Sequence, residues 1–394
     1  MNKAQWNEFL IYFKNRPIPF LIIELVGRLG KVVKLPGIGY FINDPDIGKQ
    51  VLNNPECFNS HDIGSVGCLI TQVLGDFALI NMDSIKHKEW KTKLRELFTP
   101  KFIQEVFDLS ASSYLQEIKS YLHNGDVVDL AKVSKILASR MACGMIGANL
   151  ENDQDSINLF EIVGKFTSYA GLGKKKLSDQ EVDEAKLLAE QIAKYAKSSF
   201  NKKQRDGSVT QRLKDLGFTF EEVKGLLTVI LVGGTELVSF AIPRIMALLV
   251  DSNQLSLLRK QPELITQTMD EGLRFVTPSS VVLRSVSKNA EIEGYKFESP
   301  NRALIVNYNM LKSKKYFDQP RKFDITRKIV PQVKHSWFGG GPHFCLGFAL
   351  AHKEIRSVLE MFIELESDFK ILKRTFEKNK VFPGYKSLQI QLIS

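Results

Sequence analysis

Residues 220–250 form the longest run with helical spacing in the chain, and this run constrains the fold more than any other segment. Its middle, residues 226–232, is apolar except for Thr228. A helix that is apolar on every side has to be buried at the centre of a large molecule. The chain has 394 residues, which is enough to build such a core.

Three features of the run are unusual for a buried helix. Gly233 and Gly234 lie mid-helix, where each glycine costs about 1 kcal/mol relative to alanine. Glu236 places an ionisable group in an apolar run, and Pro243 removes a helix hydrogen bond, which predicts a kink. The segment from Gly233 to Glu236 is therefore a candidate for a role beyond packing.

The remaining pattern predicts more helices and several short strands. Helical spacing occurs at residues 5–29, 84–97, 101–124, 127–147, 154–170, 178–202, 262–275 and 346–365, and a capped short helix is expected from Asp44 through Leu52. Strand-like segments are residues 32–35, 39–42, 281–285, 290–292, 295–297, 303–306, 369–372 and 388–392, while residues 60–80 look irregular. Together these helices and strands predict an α+β protein that is mostly α. No change in composition marks a linker, so we expect a single domain over residues 1–394.

Composition limits the classes of partner and compartment. The net charge of +10 indicates either an ordinary solvated basic surface or attraction to an acidic partner. We expect no nucleic acid partner, because no recognition motif accompanies the charge. The 4 cysteines have neither zinc-site spacing nor a disulfide pattern, which favours a reducing, cytoplasmic location.

The N-terminal region contains apolar patches at residues 9–13 and 19–26, but charged residues and prolines interrupt them. The patches are too short for a membrane span. We therefore expect no transmembrane anchor and no stable membrane insertion. A peripheral contact with a membrane surface is the alternative.

Residues 338–347 carry a cysteine in a glycine-rich loop directly before an apolar helix. Glycines allow close approach to a flat group, and a helix N-terminus favours a thiolate at Cys345. A buried thiolate needs a strong cation, and haem iron is one. The alternative, an inert buried cysteine, is what we expect for Cys57, Cys68 and Cys143.

This loop resembles the pattern Phe-x-x-Gly-x-His/Arg-x-Cys-x-Gly of the cytochrome P-450 family through Phe338, Gly341, His343, Cys345 and Gly347. The resemblance implies haem b (iron protoporphyrin IX), with Cys345 as the axial ligand of the iron. It also implies the cytochrome P-450 fold, a triangular helix-rich prism with small β-sheets and a long central helix over the haem.

Two further motifs resemble the same family in the expected order. Glu271 and Arg274 match its Glu-x-x-Arg pair, which implies a structural lock completed by Arg321. His87 and Lys91 resemble its His-x-x-x-Arg pair, with lysine in place of arginine. By this resemblance both would contact the haem propionates together with Arg284 and His343, and Trp90 or Lys93 could share the role.

The segment Gly233-Gly234-Thr235-Glu236-Leu237 resembles the central-helix motif, in which the acid supplies protons and the next residue is an alcohol that assists O–O cleavage. Here Leu237 stands at the alcohol position. Three interpretations follow: the substrate supplies a hydroxyl or a water, a shifted helix brings Thr235 into the role, or the enzyme uses peroxide or performs oxidative coupling or rearrangement. Leu237 could also simply pack on the substrate.

The resemblance implies a monooxygenase that inserts one atom of O₂ into a small lipophilic metabolite, by hydroxylation or epoxidation, in specialised (secondary) metabolism. A haem-binding sensor without turnover is a hypothesis from another class. We expect substrate contacts from residues 64–79, 163–177, 233–237 and 382–385, and from Ser280, Val281 and Val282.

The basic charge has a candidate use in electron transfer. A basic face around the haem loop would attract an acidic ferredoxin or flavodoxin, reduced by its own reductase, since we expect no fused reductase domain. The residues predicted for that face are Lys88, Lys91, Lys93, Arg95, Lys312, Lys314, Lys315 and Lys353.

Overall fold

The computed structural model describes residues 2–82, 84–170, 176–201 and 207–393. The helices are α1 (Lys3–Asn15), α2 (Pro17–Leu29), α3 (Pro45–Leu52), α4 (Val66–Leu74), α5 (Ser84–Arg95), α6 (Pro100–Ser110), α7 (Ser112–His123), α8 (Leu130–Met145), α9 (Asp153–Ser168), α10 (Asp179–Asn201), α11 (Val209–Asp215), α12 (Phe220–Asp251), α13 (Leu255–Lys260), α14 (Ile265–Val276), α15 (Asn307–Met310) and α16 (Phe348–Glu364). The predicted predominance of helix is confirmed.

The strands form small sheets. They are β1 (Val32–Leu35), β2 (Gly39–Ile42), β3 (Phe58–Asn59), β4 (Val128–Asp129), β5 (Val282–Val286), β6 (Ala290–Ile292), β7 (Tyr295–Phe297), β8 (Asn301–Ile305), β9 (Phe369–Phe376) and β10 (Tyr385–Leu392). One sheet has the order β1-β2-β8-β5-β3, in which β2 and β8 are parallel and the other neighbours antiparallel. The others are β4-β10-β9 and the hairpin β6-β7.

Helix α12 is the central element. It packs against α8, α9, α10, α14 and α16, and most of its side chains between Val238 and Leu249 are buried. A capping box begins it, because the Thr219 N–H donates to Glu222 Oε2 at 2.8 Å. By length and composition α12 could cross a membrane, but 67% of its most apolar window is buried inside the protein, as in a core helix. The helix is continuous through Pro243.

Several predicted boundaries are wrong. The helix expected over residues 5–29 is divided, because Pro17 begins α2 while Arg16 has the non-helical angles φ −147° and ψ 87°. The helix expected over 101–124 is divided at Ala111. The segment expected to be irregular contains α4, which Ser65 begins by accepting the Cys68 N–H at 3.2 Å. Helices α11, α13 and α15 were not predicted.

A buried ion pair joins the N-terminal helix to the central helix. Arg244 on α12 is fully buried, and its guanidinium contacts the Glu8 carboxylate of α1. The same group donates to the Pro383 carbonyl at 3.0 Å. The main hydrophobic cluster likewise includes residues from both ends of the chain, Ala4 and Ile390. The single domain over residues 1–394 stays a prediction.

Candidate active site

A cavity of about 590 Å³ lies between α12 and the loop that carries Cys345. Gly233, Gly234 and Leu237 of α12 line it, as does Cys345. Apolar side chains from α2, α4, α9 and the segment before β10 complete the wall. The structure therefore brings two of the sequence motifs onto one largely apolar space.

Cys345 is held at the cavity by its backbone. Its N–H donates to the Phe338 carbonyl at 3.0 Å, so the loop closes on itself. Burial raises the pKa of the Cys345 thiol, while the Gly347 N–H and the Lys91 ammonium lower it by less. The stabilisation expected from the helix N-terminus is thus present at Gly347 but is outweighed by desolvation. A cation bound at the sulfur is what would keep this thiol ionised.

The loop glycines serve different contacts. Gly339, with φ 80°, lines the cavity. Gly341 has φ 63°, and a Cβ there would clash with the Leu52 carbonyl at the end of α3. Gly341 is therefore required by its backbone angles and by packing on α3, rather than by approach to a group in the cavity. Phe338 and Gly347 both line the cavity.

The four basic side chains that were predicted to contact the haem propionates all lie at the cavity wall: His87, Lys91, Arg284 and His343. The rings of His87 and His343 lie 4.2 Å apart between centroids. Lys91 Nζ donates to the Phe344 carbonyl at 2.6 Å and to the Pro342 carbonyl. Lys91 therefore also fixes the cysteine loop to α5.

Their neighbours have other roles. Trp90 packs against Phe77, with centroids 4.8 Å apart, and Lys93 pairs with Glu89 at 2.6 Å. Neither is part of the cavity wall. Sequence reasoning missed Ser60, whose Oγ lies 3.1 Å from His343 Nε2 and which lines the cavity.

The Glu-x-x-Arg pair is fully buried. Arg274 Nε and Nη2 donate to the two Glu271 oxygens at 2.6 and 2.8 Å. Arg274 Nη1 donates to the carbonyls of Leu311 and Pro320 at 2.8 and 2.9 Å, which ties α14 to the irregular segment before the cysteine loop.

The prediction that Arg321 is the third partner of the Glu271–Arg274 pair is wrong. Arg321 is half-exposed and pairs with Glu24 of α2 at 2.8 Å. Arg327 takes the place instead, with Nε 3.2 Å from Glu271 Oε2. The segment between them turns back at Asp324, whose N–H donates to Glu271 Oε1 at 3.0 Å, and this turn brings the later arginine to the buried carboxylate.

On α12 the glycines and Leu237 face the cavity, whereas Thr235 and Glu236 do not line it. A Cβ on Gly233 would meet nothing within 4 Å, so this position opens into the cavity. The Thr235 hydroxyl is buried and donates to the Leu231 carbonyl of its own helix. The geometry therefore does not support the interpretation in which Thr235 replaces the missing alcohol.

Glu236 reaches the cavity through another residue. Thr167 of α9 lines the cavity, and its hydroxyl donates to Glu236 Oε2 at 2.7 Å. Oε1 is buried without a hydrogen-bond partner. Burial raises the pKa of Glu236 to about 7, although the Thr167 hydrogen bond and Lys380 lower it. Sequence reasoning missed Thr167, because only the packing of α9 on α12 places it there.

The predicted substrate contacts are largely at the wall. Ser280, Val281 and Val282 line the cavity, as do several residues of α4. Phe382 and Pro383 line it too, whereas Tyr385 is buried where β10 begins. In the segment 163–177, residues 171–175 lie outside the described part of the chain.

Comparison with known proteins agrees with this geometry. The family model described as Cytochrome P450 matches residues 258–379. The cytochrome P-450 YjiB of Bacillus subtilis is 27% identical over 357 residues, which cover 87% of this chain and 86% of that protein. The chain belongs to the cytochrome P-450 family. It is accordingly a haem b-dependent oxidoreductase, a cytochrome P-450 monooxygenase.

Other similarities place the fold within the same family. The steroid C26-monooxygenase of Rhodococcus jostii is 26% identical over 327 residues, 78% of this chain and 65% of that protein. The crystal structure of CalO2 superposes with a TM-score of 0.80 at 18% identity, covering 95% of this chain and 96% of that one. The predicted cytochrome P-450 fold is confirmed.

The residues at the cavity fit haem b. The Cys345 thiol faces the space, four basic groups stand at its wall, and Gly233 leaves room on the α12 side. A porphyrin with two propionates needs this combination of a soft ligand, cations and an apolar slot.

Proposed function

We propose that this enzyme inserts one oxygen atom of O₂ into a lipophilic molecule, with Cys345 as the iron ligand. The observation that carries the proposal is that Cys345 faces the same apolar cavity of about 590 Å³ as Gly233, Gly234 and Leu237 of α12. Haem b, when bound, supplies the oxidative chemistry, and the protein supplies position, protons and exclusion of water.

Four basic side chains at the cavity wall would hold the two propionates: His87, Lys91, Arg284 and His343. Lysine offers a point charge in place of the bidentate fork of arginine, so Lys91 contributes less directional binding. Its contacts with the Pro342 and Phe344 carbonyls compensate by holding the loop of the ligand itself.

The proposed proton donors are Thr167, which lines the cavity, and Glu236, which lies behind it. Glu236 has a pKa of about 7, so it holds a proton at neutral pH in a large fraction of molecules. Thr167 connects this carboxyl to the cavity through one hydrogen bond. Leu237, which faces the cavity, has no hydroxyl of its own. A hydroxyl of the substrate, or a water bound beside it, therefore completes the route to oxygen.

The apolar wall favours a lipophilic substrate, and Leu237 adds to it. Two relatives are named for such molecules: the steroid C26-monooxygenase and a linalool 8-monooxygenase, the latter 29% identical over 172 residues. We propose hydroxylation or epoxidation of a metabolite of this kind, in secondary metabolism and in the cytoplasm. The second candidate, peroxide use or oxidative coupling, is favoured by Leu237 alone.

We propose that electrons come from an acidic ferredoxin or flavodoxin with its reductase. Lys88, Arg95 and Lys314 are exposed and suit a docking face. Two other lysines predicted for this face make contacts within the protein. Lys315 pairs with Asp46, and Lys353 lies 4.0 Å from the centre of the Phe107 ring.

The prediction that Lys312 belongs to that docking face is wrong. Its ammonium donates to the Phe275 carbonyl at 3.3 Å and lies 3.6 Å from the centre of the Tyr308 ring. Burial lowers the pKa of Lys312 well below its usual range. The side chain points into the protein and offers little charge to a partner.

The variant Leu237→Thr tests the proposal, with Val238→Thr as the matched control. Each adds a hydroxyl on α12, but only the first places it at the position of the missing alcohol. If the substrate completes the proton route, Leu237→Thr leaves product formed per NADPH unchanged or lower for steroid and terpene alcohols. The assay uses a surrogate ferredoxin and reductase. An increase in Leu237→Thr alone would contradict substrate assistance, and faster turnover with peroxide than with NADPH would favour the second candidate.

A further inference from the structure

Three side chains of types that can bind a metal ion lie close together outside the cavity wall. Asp270 lies on α14, His335 precedes the loop and His352 lies on α16. One ligand atom from each lies within 4.8 Å of the other two. Within the described ranges, no other group of histidine, cysteine and acidic side chains meets this test.

These side chains carry unused polar atoms. Asp270 Oδ1, His335 Nδ1 and His352 Nε2 are buried and have no hydrogen-bond partner. Asp270 is only 5% exposed. A buried polar atom without a partner costs about 1–3 kcal/mol, so three in one cluster indicate a missing ligand.

The surroundings suit a metal more than a water. The His335 and His352 rings lie 5.8 Å apart, and the Phe348 ring lies 6.0 Å from that of His352. This apolar shell limits competition from solvent. Metal binding uses the lone pair of a neutral imidazole, and His335 Nδ1 and His352 Nε2 are both buried atoms without a hydrogen-bond partner.

We propose that Asp270, His335 and His352 bind a divalent zinc ion. Two imidazoles and one carboxylate, with a water as fourth ligand, form a common zinc coordination set. The histidines lie ten residues before and seven residues after Cys345 in the sequence. The ion would therefore fasten both ends of the cysteine loop to α14. This site depends on its own three residues and not on the proposed proton route or substrate.

Lys334 is the natural competitor of the ion. Its ammonium lies 3.2 Å from Asp270 Oδ2, on the carboxylate oxygen that is not orphaned. Zinc binding to Asp270 therefore occurs beside a positive charge, which weakens it. The variant Lys334→Met removes that charge and should strengthen zinc binding several-fold.

The experiment measures zinc bound by the haem-loaded enzyme. Protein is incubated with zinc chloride and passed over a weak chelator, and zinc per haem iron is measured by mass spectrometry. Isothermal titration gives the affinities. We expect about one zinc per chain in the wild type and in the control His123→Ala, which removes an exposed histidine elsewhere. His352→Ala and the near-isosteric Asp270→Asn should weaken binding by at least about 10–100-fold.

Asp270→Asn keeps the side-chain volume, so it remains informative if His352→Ala does not fold. Equal zinc in the wild type and Asp270→Asn would overturn the proposal. The absence of zinc from the wild type under these conditions would overturn it as well.

Discussion

Thr167 donates its hydroxyl hydrogen to Glu236 Oε2 at 2.7 Å, which connects the cavity wall of α9 to a carboxyl group buried inside α12. The residues are 69 positions apart in the sequence. Thr167 is 8% exposed and Glu236 is 1% exposed, so the threonine hydroxyl is the link between the acid and the cavity. The central helix has Leu237 where an alcohol is expected, and the hydroxyl bonded to Glu236 comes instead from Thr167 on α9.

Thr167→Val should lower NADPH-driven product formation by about 10-fold or more, because positioned proton donors contribute roughly 10²–10⁴-fold. Peroxide-driven turnover, which bypasses O₂ activation, should fall less. The control is Thr228→Val on α12, whose hydroxyl donates to the Lys224 carbonyl at 2.8 Å within its own helix. Equal losses in both variants would show that the effect is structural.

Glu236 should make the protein less stable as pH rises. Its pKa is about 7 in the folded protein and near its usual 4.5 in the unfolded chain, so the folded state holds more protons between these values. The stabilisation from the neutral carboxyl is complete below about pH 4.5 and is lost as pH passes 7. Across this window the free energy of unfolding should fall by up to about 3 kcal/mol.

Glu236→Gln removes this pH dependence, whereas Glu221→Gln on an exposed part of the same helix retains it. Urea unfolding of the haem-loaded protein at pH 5 and pH 8 measures the difference. The same variant should flatten the decline of turnover above pH 7, since the proton donor is gone. A Glu236→Gln variant with the wild-type pH dependence would contradict the assigned pKa.

Arg327, not Arg321, should determine the stability of the Glu271–Arg274 lock. Arg327→Ala leaves the buried Glu271 carboxylate with one cation fewer, which should cost about 1–3 kcal/mol and lower haem retention. Arg321→Ala breaks a half-exposed pair with Glu24 and should cost less than about 1 kcal/mol. Thermal unfolding and haem content per chain report both effects, and the reverse order would restore the sequence-based assignment.

The sequence indicated the parts of the fold that have a local signal. The apolar run of α12 predicted a central helix, and the spacing around Cys345 predicted its family. Pairings that depend on packing had no such signal: Arg327 and Arg321 lie six residues apart in an irregular segment, where no periodicity distinguishes them. Nothing in the sequence distinguishes Thr167 from other threonines, because its contact with Glu236 arises only from the packing of α9 on α12. Of the two loop glycines predicted to contact the haem, Gly347 lines the cavity, whereas Gly341 packs against the end of α3.

The most direct test of the account is the carbon monoxide difference spectrum of the reduced haem protein, for the wild type and Cys345→His. If Cys345 is the iron ligand, the wild type shows the Soret band of thiolate ligation. Cys345→His retains haem but shows the shorter-wavelength band of histidine ligation. A wild-type spectrum without the thiolate band, or an unchanged band in Cys345→His, would contradict the assignment of Cys345.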